Sequence, residues 1–180
     1  MSKAISRRTL ATAVGIFMCL VWASESSAKP PEKVFRGQII TAKKRIPTHA
    51  KSANAYIKTL KKLKTTKFWE NKQKKSWKIY YAAFFKKPLN DLELTVKLYD
   101  ITDGSKKLVS SYEQYMNTRG EKSVNSHITL DRDFFGVNKH ILMTVETKGY
   151  ILSSGKFMIL GEAEKYSGEV NFTEEETRGD

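Results

Sequence analysis

Residues 76–101 read S-W-K-I-Y-Y-A-A-F-F-K-K-P-L-N-D-L-E-L-T-V-K-L-Y-D-I. Trp77, Ile79, Tyr81, Ala83 and Phe85 alternate along the first half, and Leu92, Leu94, Val96 and Leu98 along the second. A period of two places each set on one face of a strand. Between the halves, Pro88 cannot donate to a ladder and Asn90-Asp91 suits a turn. The stretch therefore predicts two long strands at the centre of an all-β domain.

On the C-terminal side, Asp103-Gly104 falls between alternating runs, a strong local hairpin signal. It predicts a strand over 107–116 carrying Leu108, Tyr112 and Met116. Gly120 marks the next turn. Val124, Ser126, Ile128 and Leu130 then alternate, which leaves His127 on the opposite, outer face. Residues 132–138 read as a loop with Phe134 and Phe135. Residues 140–152 and 156–162 read as strands around a turn at Ser153-Ser154-Gly155, with Gly149 as a bulge. A short last strand is expected at 168–172, and 174–180 as an acidic disordered tail.

On the N-terminal side, 34–46 is β-rich and predicts a first strand ended by Pro47. Ser52 suits an N-cap, and Ala53, Tyr56, Ile57, Leu60 and Leu63 then recur at helical spacing. At ~100° per residue these five span an arc of roughly 120°. This is one amphipathic helix between the first two strands. Residues 65–75 lose the pattern and read as a basic loop broken by Phe68-Trp69.

The beginning of the chain reads as a signal peptide. Lys3, Arg7 and Arg8 precede an uncharged apolar run over 10–23, and a short polar stretch follows to Ala28. That order predicts cleavage after Ala28, or alternatively after Ala23. The run is shorter than the ~20 residues of a spanning helix. Arg7-Arg8 is compatible with a twin-arginine address as well as general secretion. The expected location is periplasmic or extracellular. Cys19 is the chain's single cysteine and falls inside that segment, so the rest of the chain has neither disulfide nor thiol nucleophile. Residues 29–173 are the right length for one domain with an ordinary apolar core.

About seven to eight closely spaced strands argue for a sandwich. By strand count and spacing the chain resembles immunoglobulin-like antiparallel β-sandwiches. The resemblance implies a buried tryptophan, for which Trp77 is the candidate. The cysteine pair of that family is missing.

Charge is unevenly spread. The formal net charge is +13, yet residues 29–87 hold 18 basic and 2 acidic residues while 88–180 hold 11 basic and 16 acidic. Such asymmetry speaks about partners. With the apolar arc of the helix docked, Lys51, Lys58 and Lys62 point outward, Lys61 lies at the border, and Lys64 and Lys67 extend the charge. These six are the candidate anion-binding residues. An anionic surface, such as lipid head groups or an acidic polysaccharide, or another exported protein, is the expected kind of partner. Nucleic acid is disfavoured by the export signal.

Catalytic chemistry finds little support. Only His49, His127 and His140 offer an imidazole base. No serine stands in a G-x-S-x-G elbow, and no carboxylate pair is singled out for glycoside hydrolysis. Asp100 and Asp103 in one turn, with Asp131 and Asp133 in another, could hold calcium. On those four acids alone the arrangement would resemble C2-type membrane-binding domains. Aspartate favours turns for local reasons as well, so no metal or cofactor is expected. The expectation is an exported, non-enzymatic structural or binding module. The alternative is a polyanion- or membrane-surface-binding protein using its basic half, and a hydrolase ranks last.

Overall fold

The computed structural model describes residues 29–71 and 73–161. The signal segment, the strand expected at 168–172 and the acidic tail lie outside the described residues. Eight strands and three helices follow one another as α1 (Pro31–Val34), β1 (Ile39–Ala42), α2 (Ala53–Leu63), β2 (Lys67–Trp69), β3 (Ser76–Leu89), β4 (Glu93–Asp100), β5 (Lys107–Tyr115), β6 (Glu121–Asp131), α3 (Arg132–Phe135), β7 (Lys139–Thr147) and β8 (Tyr150–Leu160). They form two sheets, ordered β1-β3-β6 and β2-β8-β7-β4-β5.

The two strands of residues 76–101 stand in different sheets. β3 is the middle of the three-stranded sheet, and β4 runs between β7 and β5 in the other. The alternation has the cause it suggested. Trp77, Ile79, Tyr81, Ala83 and Phe85 face Leu94, Val96 and Leu98 in one buried cluster, which Ile141, Met143, Val145, Phe157 and Ile159 complete. Leu92, just before β4, is 39% exposed and takes no part. Pro88 lies inside β3 rather than in the turn, where the β3–β6 register slips between Phe84 and Leu89. A missing donor is tolerated at such an irregularity. Asn90 and Asp91 make the link between sheets, with the Asp91 carboxylate accepting from Leu92 N at 2.9 Å.

The opposite face of β3 is buried too. Ala82 and Phe84 join Phe35, Ile40, Ala42, Ile46, Ile57 and Leu60 in a second cluster beneath α2. The helix starts where Ser52 accepts from Ala55 N at 3.2 Å, an N-cap that satisfies one orphan donor. Ile57 and Leu60 are buried, and Tyr56 and Leu63 pack at the margin.

Three expectations are corrected. Residues 34–46 do not form one strand, because Pro31 starts a short helix and Gly37 (φ 75°) turns the chain, leaving only Ile39–Ala42 as strand. Residues 65–75 are not all loop. Lys67–Trp69 pairs parallel to Met158–Leu160, with Phe68 buried against Phe157. The turn between the last two described strands is Lys148-Gly149, not Ser153-Ser154-Gly155. Lys148 and Gly149 have φ of 46° and 81°, the two positive values of a two-residue hairpin turn. Residues 153–155 continue β8, where Gly155 lets the Ile39 backbone come close. The Asp103-Gly104 hairpin forms as expected between β4 and β5. Phe134 and Phe135 sit on the short α3, the first exposed and the second packed against the core.

Candidate anion-binding face

All six lysines singled out by sequence are exposed. Lys51 precedes the cap, Lys58, Lys61 and Lys62 lie on α2, Lys64 is its C-cap and Lys67 opens β2. Among the described residues none of them pairs with a carboxylate. An eleven-residue helix is about 16 Å long. The lysines therefore form a stripe rather than converge on one point. A stripe of like charges attracts an extended polyanion through summed Coulomb terms and needs no pocket.

The three-stranded sheet also carries a concave site that sequence reasoning missed. The outer face of the three-stranded sheet holds a groove of about 420 Å³ floored by Lys78, Tyr80, Asn125 and His127, with Arg45 and Ile46 on its wall. Strand alternation turns Lys78 and Tyr80 away from the cluster between the sheets, Tyr80 packs at the margin of the second cluster, and the antiparallel β3–β6 register sets Tyr80 opposite His127. Their rings lie 5.7 Å apart at 38°. The Lys78 ammonium stands 5.4 Å from the Tyr80 ring centre, a cation–π distance. Asn125 donates to Tyr56 Oη at 3.3 Å and so joins the groove to α2. Among the described residues no carboxylate lines it.

A second groove, about 310 Å³, adjoins the first through Lys78, which lines both. Lys43 and Trp69 flank it, and Trp69 is 48% exposed. Its one carboxylate, Glu70, has a side chain only 1% exposed and is turned toward Arg132 at 3.2 Å. A ligand in the groove would therefore meet cations and aromatic faces.

Two of the four carboxylates considered for calcium, Asp100 and Asp103, are engaged elsewhere. Asp100 accepts from Thr102 N at 2.9 Å and pairs with Lys139 at 2.9 Å. Burial works to raise its pKa, but the bonds from Thr102 and Lys139 outweigh that and hold it at about 2. Asp103 accepts from Ser105 N at 3.1 Å and Ser105 Oγ at 2.7 Å, a local turn device. Among the described residues no group of three or more His, Cys, Asp or Glu is placed to hold a metal ion. His140 begins β7 and His49 lies in the link before α2, while His127 belongs to the groove.

A part-buried ion pair sits on the five-stranded sheet. Glu146 is buried on its outer face, with Lys97 at 2.7 Å and Thr144 donating at 2.7 Å. Burial would raise the Glu146 pKa, yet these two partners bring it below the ordinary carboxylate value. The lysine-rich half is carried by β1, α2, β3 and the links between them. Residues 88–161 hold nine basic and nine acidic residues, so the acidic excess of the second half belongs to 162–180, outside the described residues.

Compared with protein-family models, curated proteins and solved structures, the chain matches none.

Proposed function

We propose that this protein is an exported, non-enzymatic binding module of immunoglobulin-like type that holds a polyanion on the face formed by α2 and the three-stranded sheet. The observation that carries the reading is the groove lined by Lys78, Tyr80, Arg45 and His127, with no carboxylate among its described lining residues, on the sheet that α2 reaches through the Tyr56–Asn125 hydrogen bond. Several lysines near one anionic partner add roughly 1 kcal/mol each within a Debye length.

Strand order supports the immunoglobulin-like part. With β2 set aside, seven strands remain. In chain order, the first, second and fifth form one sheet, and the seventh, sixth, third and fourth form the other. The third, sixth and seventh strands share a sheet in immunoglobulin domains, and variable-type domains add a strand beside the third. The Gln38–Ser154 bridge, which is parallel, links the first strand to the last described one. Trp77 departs from the family pattern, since it lies on the second of these strands and not the third. The non-enzymatic part draws on His127, which stacks on Tyr80 instead of meeting an orienting carboxylate, as a general base would need.

Export rests on the charged, apolar and small-residue order of 1–28, and intact mass of the secreted chain tests it. For the binding face, the experiment is retention on an anionic polymer at low and physiological salt. The wild-type chain is expected to bind with steep salt dependence, and a triple Lys58→Gln, Lys61→Gln, Lys62→Gln variant to bind several-fold more weakly with an unchanged Tm. Equal, salt-insensitive retention of both forms would defeat the reading.

A further inference from the structure

We infer that the two adjoining grooves form one track for an acidic polysaccharide, with Trp69 and the Tyr80–His127 pair as sugar-stacking platforms and Lys43, Lys78 and Arg45 as carboxylate partners. The inference rests on the polyanion reading above and names its ligand class. Three features carry it.

Both grooves combine aromatic faces with cations. Tyr80, His127 and Arg45 line the larger groove, Lys78 is shared, and Trp69 and Lys43 flank the smaller one. A polymer of uronic-acid residues repeats the same two features, a flat pyranose face rich in C–H groups and a carboxylate. An aromatic ring supplies apolar area to the former with little loss of side-chain freedom, and each cation meets the latter with a charge-assisted hydrogen bond.

The polar floor suits sugar hydroxyls. Asn125, Ser126 and Thr48 line the larger groove, and both amide and hydroxyl groups can donate and accept. A ringless polyanion would leave these groups and the aromatic faces unused.

The face is unsuited to a membrane. Insertion needs apolar side chains beside the cations. Of the large exposed apolar residues among those described, only Trp69 lines either groove. Leu92, Leu108, Tyr115, Tyr150 and Ile151 belong to the five-stranded sheet or its turns, and Phe134 to α3.

The test uses the mature chain and four probes at one ionic strength. They are polygalacturonate, inorganic polyphosphate, single-stranded oligothymidylate, and vesicles with anionic head groups. Polygalacturonate is expected to bind most tightly. Trp69→Ala and His127→Ala, both at exposed positions, should each weaken it about fivefold to tenfold while polyphosphate binding changes less than twofold. Lys78→Gln should weaken both polymers. Unchanged melting temperatures identify these losses as contact losses, and a variant that melts early is replaced by Trp69→Gln or His127→Gln. If polygalacturonate and polyphosphate bind alike and neither responds to the aromatic changes, the sugar track is overturned and the polyanion reading stands. If no probe binds, both fall. Preference for oligothymidylate or for vesicles, lost in the same variants, overturns the polysaccharide assignment in favour of that partner.

Discussion

Gly155 of β8 lies against the backbone of Ile39 in β1, so closely that a Cβ at 155 would sit 2.8 Å from the Ile39 carbonyl oxygen. The neighbouring Ser154 N donates to Gly37 O at 3.1 Å. This is where the edge strand of one sheet meets a strand of the other. Backbone cannot yield as the end of a long side chain can. Gly155→Ala is therefore expected to destabilise the fold by about 1–3 kcal/mol. Urea unfolding measures it, and a loss near zero would mean that β1 does not press on β8.

Trp77 is 1% exposed and its indole N–H donates to Leu160 O at 2.9 Å across the sandwich. Trp77→Ala removes both packing and donor and should cost about 3–5 kcal/mol. Trp77→Phe keeps most of the packing and removes the indole donor, while the Glu70 N–H still donates to Leu160 O at 3.2 Å, so its cost should be about 1 kcal/mol, well below that of the alanine variant. Equal costs for the two variants would show that the hydrogen bond dominates.

Those two residues also show what the sequence could and could not convey. Alternation from Trp77 to Phe85 marked the core face, because one period-two set meets a single apolar layer. It did not reveal that Ala82 and Phe84 are buried as well, since an unbroken A-A-F-F run carries no phase once both faces are covered. β2 was invisible for a different reason. It is three residues long, and its partner β8 lies near the far end of the described chain, so neither length nor local pattern announces it. Gly149 was visible as a glycine, but its role as half of the hairpin turn depended on the positive φ of Lys148. Of the binding face, the lysines of α2 could be read from helical spacing. The Tyr80–His127 pair could not, because each residue was outward on its own strand and only the β3–β6 register joins them.

The Lys148-Gly149 turn gives a second backbone test. Gly149 has φ 81° and open space around its missing Cβ. Gly149→Ala therefore meets no clash, and its expected cost of about 1 kcal/mol comes from the left-handed conformation alone. Gly149→Asn should cost less, since asparagine accepts that region more readily. Thermal unfolding of the two variants decides it, and an alanine form as stable as wild type would mean that the turn relaxes to another type.

Asp100 sets an acid limb on stability. Its folded pKa of about 2 lies below the ~3.9 of an unfolded aspartate. The unfolded chain therefore takes up the proton first. The stabilisation is full above about pH 4 and is lost as pH falls toward about 2. Glu146, also lowered, acts in the same direction. Asp100→Asn should lower stability at neutral pH and flatten the fall in Tm between pH 4 and pH 2. A variant whose acid limb keeps the wild-type slope would assign the effect to other carboxylates.

The parallel pairing of β2 with β8 has a bearing on the order in which the molecule is completed. Ribosomes deliver a chain from its N-terminus, and contacts between distant segments form late because a long loop must first be closed. β1, α2 and β3 can associate among themselves as they emerge. Trp69 has no strand to lie beside until Leu160 has been made, and the indole donor of Trp77 waits for the same residue. A nascent chain stopped short of β8 would thus expose Phe68 and an open side of the core together. Synthesis of β8 is the event that closes the described sandwich, so molecular chaperones that recognise apolar segments have their longest opportunity on the half of the chain made first.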